Sequence, residues 1–325
     1  MLQCPHCNAG LTDRKEPSLP CSCDRVFPRL RSGGWDFLPG EHFPDFHLDL
    51  ADPAQQELLD QEAAGVSWRV ESFILPMIRR YSEELGLSEK SLEILDCGCG
   101  SGISVEILRA HSLAAFGIDA GNARQEQWGQ RSSGRHLHTA NALHLPFRDL
   151  TFDVILSSGL VEHIGIHEEE SAGYRSRRLP DCAAQRQRFV SELVRVLKPD
   201  GFILLDHPNG DFPADFWHGG TAGTIRWHFS SGDMLPGFRE ISRYFGALES
   251  GFRLLPFSPV HRLRFNQVSG HWYGRVFSPF IRAWLRVMDQ PALRFLARTF
   301  VNPYLVTVAT RQGEAGRWAY PKRSA

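Results

Sequence analysis

Between Leu92 and Asn209, short apolar stretches alternate with amphipathic ones, and this alternation constrains the fold more than any other feature of the chain. "LEILDCG", "AAFGID", "HLHTANA", "FDVILSSG" and "GFILLDHPN" are short apolar runs of strand length. Between them, "ISVEILRAH", "QRFVSELVRVLKP" and the segment opening with "GNARQEQWGQ" carry apolar residues at helical spacing. Such alternation predicts an α/β fold, with a parallel sheet covered by helices on both faces and joined by right-handed crossovers. Further on, "DMLPGFREISRYFGALE" reads as a helix, and "GFRLLPFSPV" and "YLVTVATR" as strands. The last strand has no crossover helix of the same type before it, so an antiparallel position is expected.

In "DCGCGSG", Asp96 ends the first strand, and Gly98, Gly100 and Gly102 precede a helix. Glycines there permit a sharp turn and a close backbone approach, and the helix N-terminus offers amide donors, which suits a nucleotide-like cofactor. Asp119 lies 21 residues after Gly98, at the end of the second strand, where a carboxylate can receive both ribose hydroxyls. NAD and S-adenosylmethionine both satisfy these two features. Cys97 and Cys99 read as small loop fillers.

From about Ser91 to Gly210 four motifs stand in order: "ILDCGCGSG", "GID", "ANALHLPFRDLTFDVILSSGLVEHI" and "LVRVLKPDGFILLDHPN". This set resembles the class I S-adenosylmethionine-dependent methyltransferases, especially the quinone-biosynthesis C-methyltransferases. The resemblance implies a Rossmann-like sheet and S-adenosylmethionine as cofactor. It implies that Asp96, Gly98, Gly100 and Gly102 face the methionine part, and Asp119 the ribose. Asn141, Ala142 and Leu143 would border adenine, and Ser157 to Leu160, Ser158 among them, would flank the sulfonium. Many relatives carry Asp at the place of Asn141.

Methyl transfer needs alignment and, for a protonated nucleophile, a base. His163 is the first candidate and His207 the second, with His163 as a backbone-bonded residue at a helix start as the structural alternative. Some quinone O-methyltransferases carry a Glu-x-x-Glu-His metal site where Glu162 and His163 stand. Gly159 replaces its first Glu, so no metal is expected there. The connection "DHPNGDFPADFWHGGTAGTIRWHFS" is long and rich in aromatic residues and His, and Trp217, His218, Trp227 and His228 either line an acceptor pocket or pack against the core.

At the N-terminus, "CPHC" and "CSC" place Cys4, Cys7, Cys21 and Cys23 as four thiolates for a structural, tetrahedral Zn2+. His6, inside the first knuckle, is not expected as a ligand. The following "DRVFPRLRSGGWDFLP" resembles the zinc ribbons of some rRNA guanine methyltransferases and of the small activator subunit of tRNA and protein methyltransferases, some of which use His as fourth ligand. The ribbon is expected to be structural, since so short a segment needs a staple; gripping RNA or shaping the acceptor site are its other uses. Seven cysteines, four within the first 23 residues, fit metal binding in a reducing compartment better than disulfides.

The chain has 325 residues, 42% hydrophobic and 22% charged, which excludes general disorder. Its net charge of -1 hides an asymmetry: from His261 onward eleven basic residues face Asp289 and Glu314, a local +9 that favours an anionic partner or surface. "MLQCPHCNAG" has no basic start leading into an apolar run, and no segment nears the roughly 18 apolar residues of a membrane span. A soluble, cytoplasmic protein is expected. Ser278 and Pro279 read as a helix start, followed by an apolar stripe of Phe280, Ile281, Trp284, Leu285 and Met288 beside Arg282 and Arg286. The stripe is expected to pack on the domain and cap the acceptor pocket, with peripheral membrane contact as the other use. A second short helix is expected from Pro291.

The expected organisation is a zinc-ribbon-like module over 1–40, a helical connector over 41–90 with breaks at Gly65 and Pro76, and a class I methyltransferase domain over 91–312. That domain carries a basic amphipathic insertion at about 261–300, and 313–325 form a tail. The implied function is methyl transfer to a small-molecule, sugar (glycan) or lipid-linked acceptor. The alternatives are an RNA base methyltransferase using the ribbon, and a non-catalytic scaffold or activator; the intact glycines and Asp119 count against the scaffold.

Overall fold

The structure, a computed structural model, describes residues 1–12, 16–41, 43, 53–169, 175–218, 225–228, 233–248, 251–262 and 272–311. The expected tail, the early part of the connector and residues 263–271 of the insertion lie outside them. Seven strands form the main sheet: β1 (Glu93–Cys97), β2 (Ala114–Asp119), β3 (Leu137–Thr139), β4 (Phe152–Ser158), β5 (Leu197–Pro208), β6 (Phe252–Phe257) and β7 (Tyr304–Arg311). Their order is β6-β7-β5-β4-β1-β2-β3. β1 runs parallel to β2 and β4, and β2 parallel to β3, while β7 is antiparallel to both β5 and β6, the antiparallel position expected of the last strand. The helices are α1 (Pro53–Arg69), α2 (Leu75–Leu85), α3 (Ile103–Ala110), α4 (Asn122–Trp128), α5 (Cys182–Val196), α6 (Phe238–Gly246) and α7 (Trp272–Met288).

The described residues fall into two compact units, one of residues 1–158 and 188–201, the other of residues 159–187 and those from 202 onward. In the first, Ile94, Leu95, Ala115, Ile118, Val154 and Ile155 on the strands and Val105, Leu108, Phe189 and Leu193 on the helices are buried. Gly65 does not break its helix; the irregularity falls at a π turn, Val70–Ile74, just before Pro76. Proline lacks the N–H for an i−4 bond and its ring crowds that carbonyl, whereas a glycine merely weakens a helix.

The ribbon belongs to this first unit and is joined to it through backbone. Its hairpin pairs Ser18–Pro20 with Val26–Pro28. Beyond it, Asp36 bridges Thr139 in parallel, the Phe37 amide donates to the Thr139 carbonyl at 2.8 Å, and the Thr139 amide donates to the Trp35 carbonyl at 2.9 Å. The Trp35 amide donates to Nδ1 of His138 at 3.0 Å. An edge strand with open amides is an aggregation liability, and the ribbon covers β3 as another strand would. Phe27, Trp35 and Phe37 are each only 1% exposed. Burying such a side chain contributes about 1.5–3 kcal/mol. Close approach requires Gly34, where a Cβ would lie 1.7 Å from the Leu137 carbonyl oxygen.

In the second unit β7 lies between β5 and β6, with Val306 facing Asp206 and Phe257 across the two ladders. Arg186 on α5 is fully buried and is held by Glu240 at 2.9 Å and by the carbonyls of Ile164, Glu162 and Met234. Two small hairpins occur, one pairing Ile166–Glu169 with Arg175–Arg178, the other Ala214–Asp215 with Arg226–Trp227.

The C-terminal helix departs from expectation in two ways. It starts at Trp272 and runs through Pro279, which removes one backbone bond and crowds the carbonyl four residues before it, yet does not end the helix. Leu285 and Met288 are buried, but Phe277, Phe280, Trp284 and Val287 are exposed, as are Phe295 and Phe300 beyond. The stripe is therefore split between a packed side and an open one. A 3-10 helix does begin at Pro291 and ends at Arg298. No helix among the described residues is long and apolar enough to cross a membrane.

Candidate functional site

The turn between β1 and α3 holds three left-handed glycines, with φ of 85° at Gly98, 53° at Gly100 and 76° at Gly102. At Gly102 a Cβ would also meet Cδ1 of Leu137 at 2.5 Å, so a side chain there would require Leu137 to shift. The loop is fixed from several sides. The amides of Gly98 and Cys99 both donate to the Ile118 carbonyl at 2.9 Å, Trp128 Nε1 donates to the Gly100 carbonyl at 2.8 Å, and Arg131 Nε to that of Ser101 at 2.8 Å.

Asp119 ties this loop to the end of β2: Oδ2 accepts from the Gly100 amide at 2.8 Å and Oδ1 from the Gly121 amide at 2.9 Å. Each carboxylate oxygen can accept more than one bond, so holding the loop is compatible with receiving hydroxyls. Asp96, buried at the end of β1, accepts from the Ser104 hydroxyl at the start of α3. Cys97 and Cys99 are buried, and burial, reinforced by the charges of Asp96 and Asp119, pushes both thiols well above their ordinary range. Both side chains fill space within the loop.

Asn141, Ala142 and Leu143 form a turn after β3 in which Asn141 Oδ1 accepts from the Leu143 amide at 2.9 Å. The Ala140 amide donates to the Asp119 carbonyl at 3.1 Å, so this turn and Asp119 are held together. A cavity of about 350 Å³ adjoins it, lined by His6 and Phe37 of the ribbon, by Glu41 just beyond it, and by Asn141, His144 and Arg188. Ser158, at the end of β4, accepts from Arg69 of α1 at 2.5 Å.

In the ribbon, Cys4, Cys7, Cys21 and Cys23 have sulfurs within 4.8 Å of one another. Cys4 to Cys23 is 3.7 Å, and Cys7 to Cys21 and Cys21 to Cys23 are 3.4 Å. Tetrahedral zinc with bonds of about 2.3 Å requires sulfurs roughly 3.8 Å apart. The donor set therefore suits zinc. His6 instead lies parallel to the Phe27 ring at 6.3 Å.

The histidine candidates lie in the second unit and differ sharply. His207, on β5, is fully buried; its Nδ1 donates to the Pro208 carbonyl at 2.8 Å, and burial lowers its pKa. His163 is half-buried and meets Glu168 Oε1 through Nδ1 at 2.5 Å. Burial alone would lower its pKa, but Glu168, Glu162 and Asp215 together raise it. His218 lies against it, ring centroids 5.2 Å apart, and meets Asp215 Oδ2 through Nδ1 at 2.9 Å. Asp215 is buried, yet bonds from His218, the Trp217 amide and Arg226 hold its carboxyl well below the usual range. Glu168 and Asp215 escaped the sequence reasoning, and the two hairpins that deliver them offer only a weak signal: an acidic run after His163, and an Asp three residues before His218. Of the other loop residues, Trp217 packs on Tyr304 at 4.8 Å, Trp227 is exposed and His228 is buried.

Residues 95–205 match a family model described as a methyltransferase domain. Norajmaline N-methyltransferase of Rauvolfia serpentina is 24% identical over 183 residues, 53% of either chain. Phthiotriol/phenolphthiotriol dimycocerosates methyltransferase 1 of Mycobacterium ulcerans is 29% identical over 130 residues, 39% of this chain and 41% of its own. A probable tRNA methyltransferase 9B of Bos taurus is 28% identical over 131 residues, 40% of this chain and 24% of its own. The chain spans about half the length, or less, of these relatives. With the strand order and the glycine loop, the match identifies a class I S-adenosylmethionine-dependent methyltransferase domain. In this chain that domain is extended at its N-terminus by the cysteine ribbon paired to β3.

Proposed function

We propose that the protein transfers a methyl group from S-adenosylmethionine to a small-molecule, sugar or lipid-linked acceptor, at oxygen, nitrogen or an activated carbon. The observation that carries this is the left-handed glycine loop bonded through Gly100 to Asp119. Asp96 and Gly98, Gly100 and Gly102 would hold the methionine part, Asp119 the ribose hydroxyls, Asn141, Ala142 and Leu143 the adenine, and Ser158 the neighbourhood of the sulfonium. When bound, the cofactor supplies an electrophilic methyl on sulfur. The protein's part is to align the acceptor and take its proton. His163 is the base we favour, because Glu168 orients its ring and stabilises the imidazolium; buried His207 is the second candidate. The cysteine quartet would hold a structural Zn2+.

The exposed Phe277, Phe280, Trp284 and Val287 of α7, accompanied by Arg282 and Arg286, support peripheral contact with a membrane surface and so a lipid-linked acceptor. The relative named as a tRNA methyltransferase keeps RNA as the rival acceptor. Incubation with S-adenosylmethionine labelled on its methyl, separately with lipid, glycan and small-molecule extracts and with total RNA, decides. We expect label in an extract fraction and none in RNA; label in RNA alone would select the rival, and no transfer despite cofactor binding would select a scaffold.

A further inference from the structure

Glu162, His163 and His218 bring one carboxylate and two imidazoles together, with a ligand atom of each within 4.8 Å of the others. Glu162 is only 1% exposed, and its Oε2 has no hydrogen-bond partner among the described residues. A carboxylate oxygen left unbonded at that depth is costly, and a cation is its natural complement. The two histidines share a second feature. Each has its Nδ1 against another carboxylate, His163 against Glu168 at 2.5 Å and His218 against Asp215 at 2.9 Å. A carboxylate on Nδ1 keeps the proton on that nitrogen, orients the ring, and makes Nε2 a more basic donor, as it does for metal-bound imidazoles.

We infer that Glu162, His163 and His218 form a binding site for a divalent transition-metal ion, separate from the cysteine quartet. Two nitrogens and one oxygen, without sulfur, suit zinc, cobalt, iron(II) or manganese, and three protein ligands leave positions for water or an acceptor oxygen. Three carboxylates, Glu162, Glu168 and Asp215, bear on the site; of the nearby cations, Arg226 is bonded to Asp215 at 2.8 Å, and the buried Arg262, which also acts on Glu162, is paired with Asp206 at 2.7 Å. The negative balance favours a cation. Glu168 and Asp215 are positioning residues. With Gly159 at the first Glu position the sequence predicts no metal beside Glu162 and His163; the proposed third ligand comes instead from the loop after β5, which that pattern does not reveal. The inference rests on the methyl-transfer reading only for its use: a bound ion would make His163 a ligand, and would itself lower the acceptor's pKa.

The test is zinc stoichiometry of the full-length protein after dialysis against buffered micromolar zinc, by mass spectrometry of the metal, with affinity from chelator competition. The wild type is expected to hold one equivalent beyond that removed by Cys4→Ser/Cys7→Ser. His218→Ala and Glu162→Gln should each lose that further equivalent, and Asp215→Asn should bind it about 10–100-fold more weakly. S-adenosylhomocysteine titration of the same variants checks that they are folded. A wild type whose zinc is abolished entirely by the cysteine changes would overturn the inference, as would further zinc retained in both His218→Ala and Glu162→Gln. Failure of the cofactor titration in a wild type that holds the further zinc would instead strike the methyl-transfer reading alone.

Discussion

Phe27, Trp35 and Phe37 of the ribbon are each 1% exposed, whereas Phe277, Phe280 and Trp284 of α7 are 55, 70 and 39% exposed. Both regions are additions to an α/β sheet, and both are rich in aromatic residues. The difference lies in how each meets its own unit. The ribbon offers open backbone to the edge of β3, and the amides and carbonyls of Trp35, Phe37 and Thr139 pair as in a sheet, drawing the flanking rings inside. A helix has already satisfied its backbone, so it docks through one side only. In α7 that side is Leu285 and Met288, and Phe277 and Phe280 are left exposed, while the Trp284 indole donates to the Val301 carbonyl at 3.2 Å. An extension joined by backbone pairing is completed within the chain; one joined by side chains leaves a face exposed.

Changes in the ribbon should therefore act on stability, and changes on α7 on binding. The largest effect is expected from Gly34→Val, whose side chain would collide with the Leu137 carbonyl and separate the ribbon from β3. A loss of about 4 kcal/mol or more in urea unfolding is expected. Trp35→Ala should cost about 3 kcal/mol in the same measurement. If either change left stability untouched, the ribbon would be an independent appendage and the contrast with α7 would fail.

His138 sharpens the comparison through pH. Burial, aided by the charges of His136 and Arg29, pushes its pKa from 6.5 down to about 3, and its neutral Nδ1 receives the Trp35 amide. The unfolded chain binds this proton near pH 6.5, while the folded one binds it only near pH 3. The stabilisation is thus fully present above pH 6.5 and diminishes as pH falls from there toward 3. Urea midpoints taken at roughly pH 7.5 and 5 should drop more for the wild type than for His138→Gln; equal drops would detach His138 from the ribbon's anchoring.

The smallest stability effect belongs to α7. Phe277→Ser with Phe280→Ser should change the unfolding free energy by no more than about 0.5 kcal/mol. The same variant should sediment less with anionic lipid vesicles than the wild type. A large loss of stability would show that these rings pack within the protein.

How far the fold was legible follows from the range of each signal. The glycine loop, Asp119 and the cysteine quartet are local patterns, and the structure assembles each from neighbouring elements. The ribbon's pairing with β3 joins Trp35 to His138 across 103 residues, and nothing in either segment names the other. Glu168 and Asp215 reach their histidines by way of two short hairpins whose partner strands, Arg175–Arg178 and Arg226–Trp227, carry no alternation strong enough to mark them. Ser278 and Pro279 looked like a helix start because proline suits that position. Apolar residues upstream of it, Val276 and Phe277 among them, extend the helix regardless.

Titration of S-adenosylhomocysteine into the zinc-loaded protein by calorimetry, with NAD and Asp119→Ala as comparisons, tests the central claim most directly. Saturable binding of S-adenosylhomocysteine, lost in Asp119→Ala and absent with NAD, is the expected result. No binding near millimolar concentration by a folded, zinc-loaded wild type would contradict the assignment of the glycine loop and Asp119 to this cofactor, and with it the proposed methyl transfer.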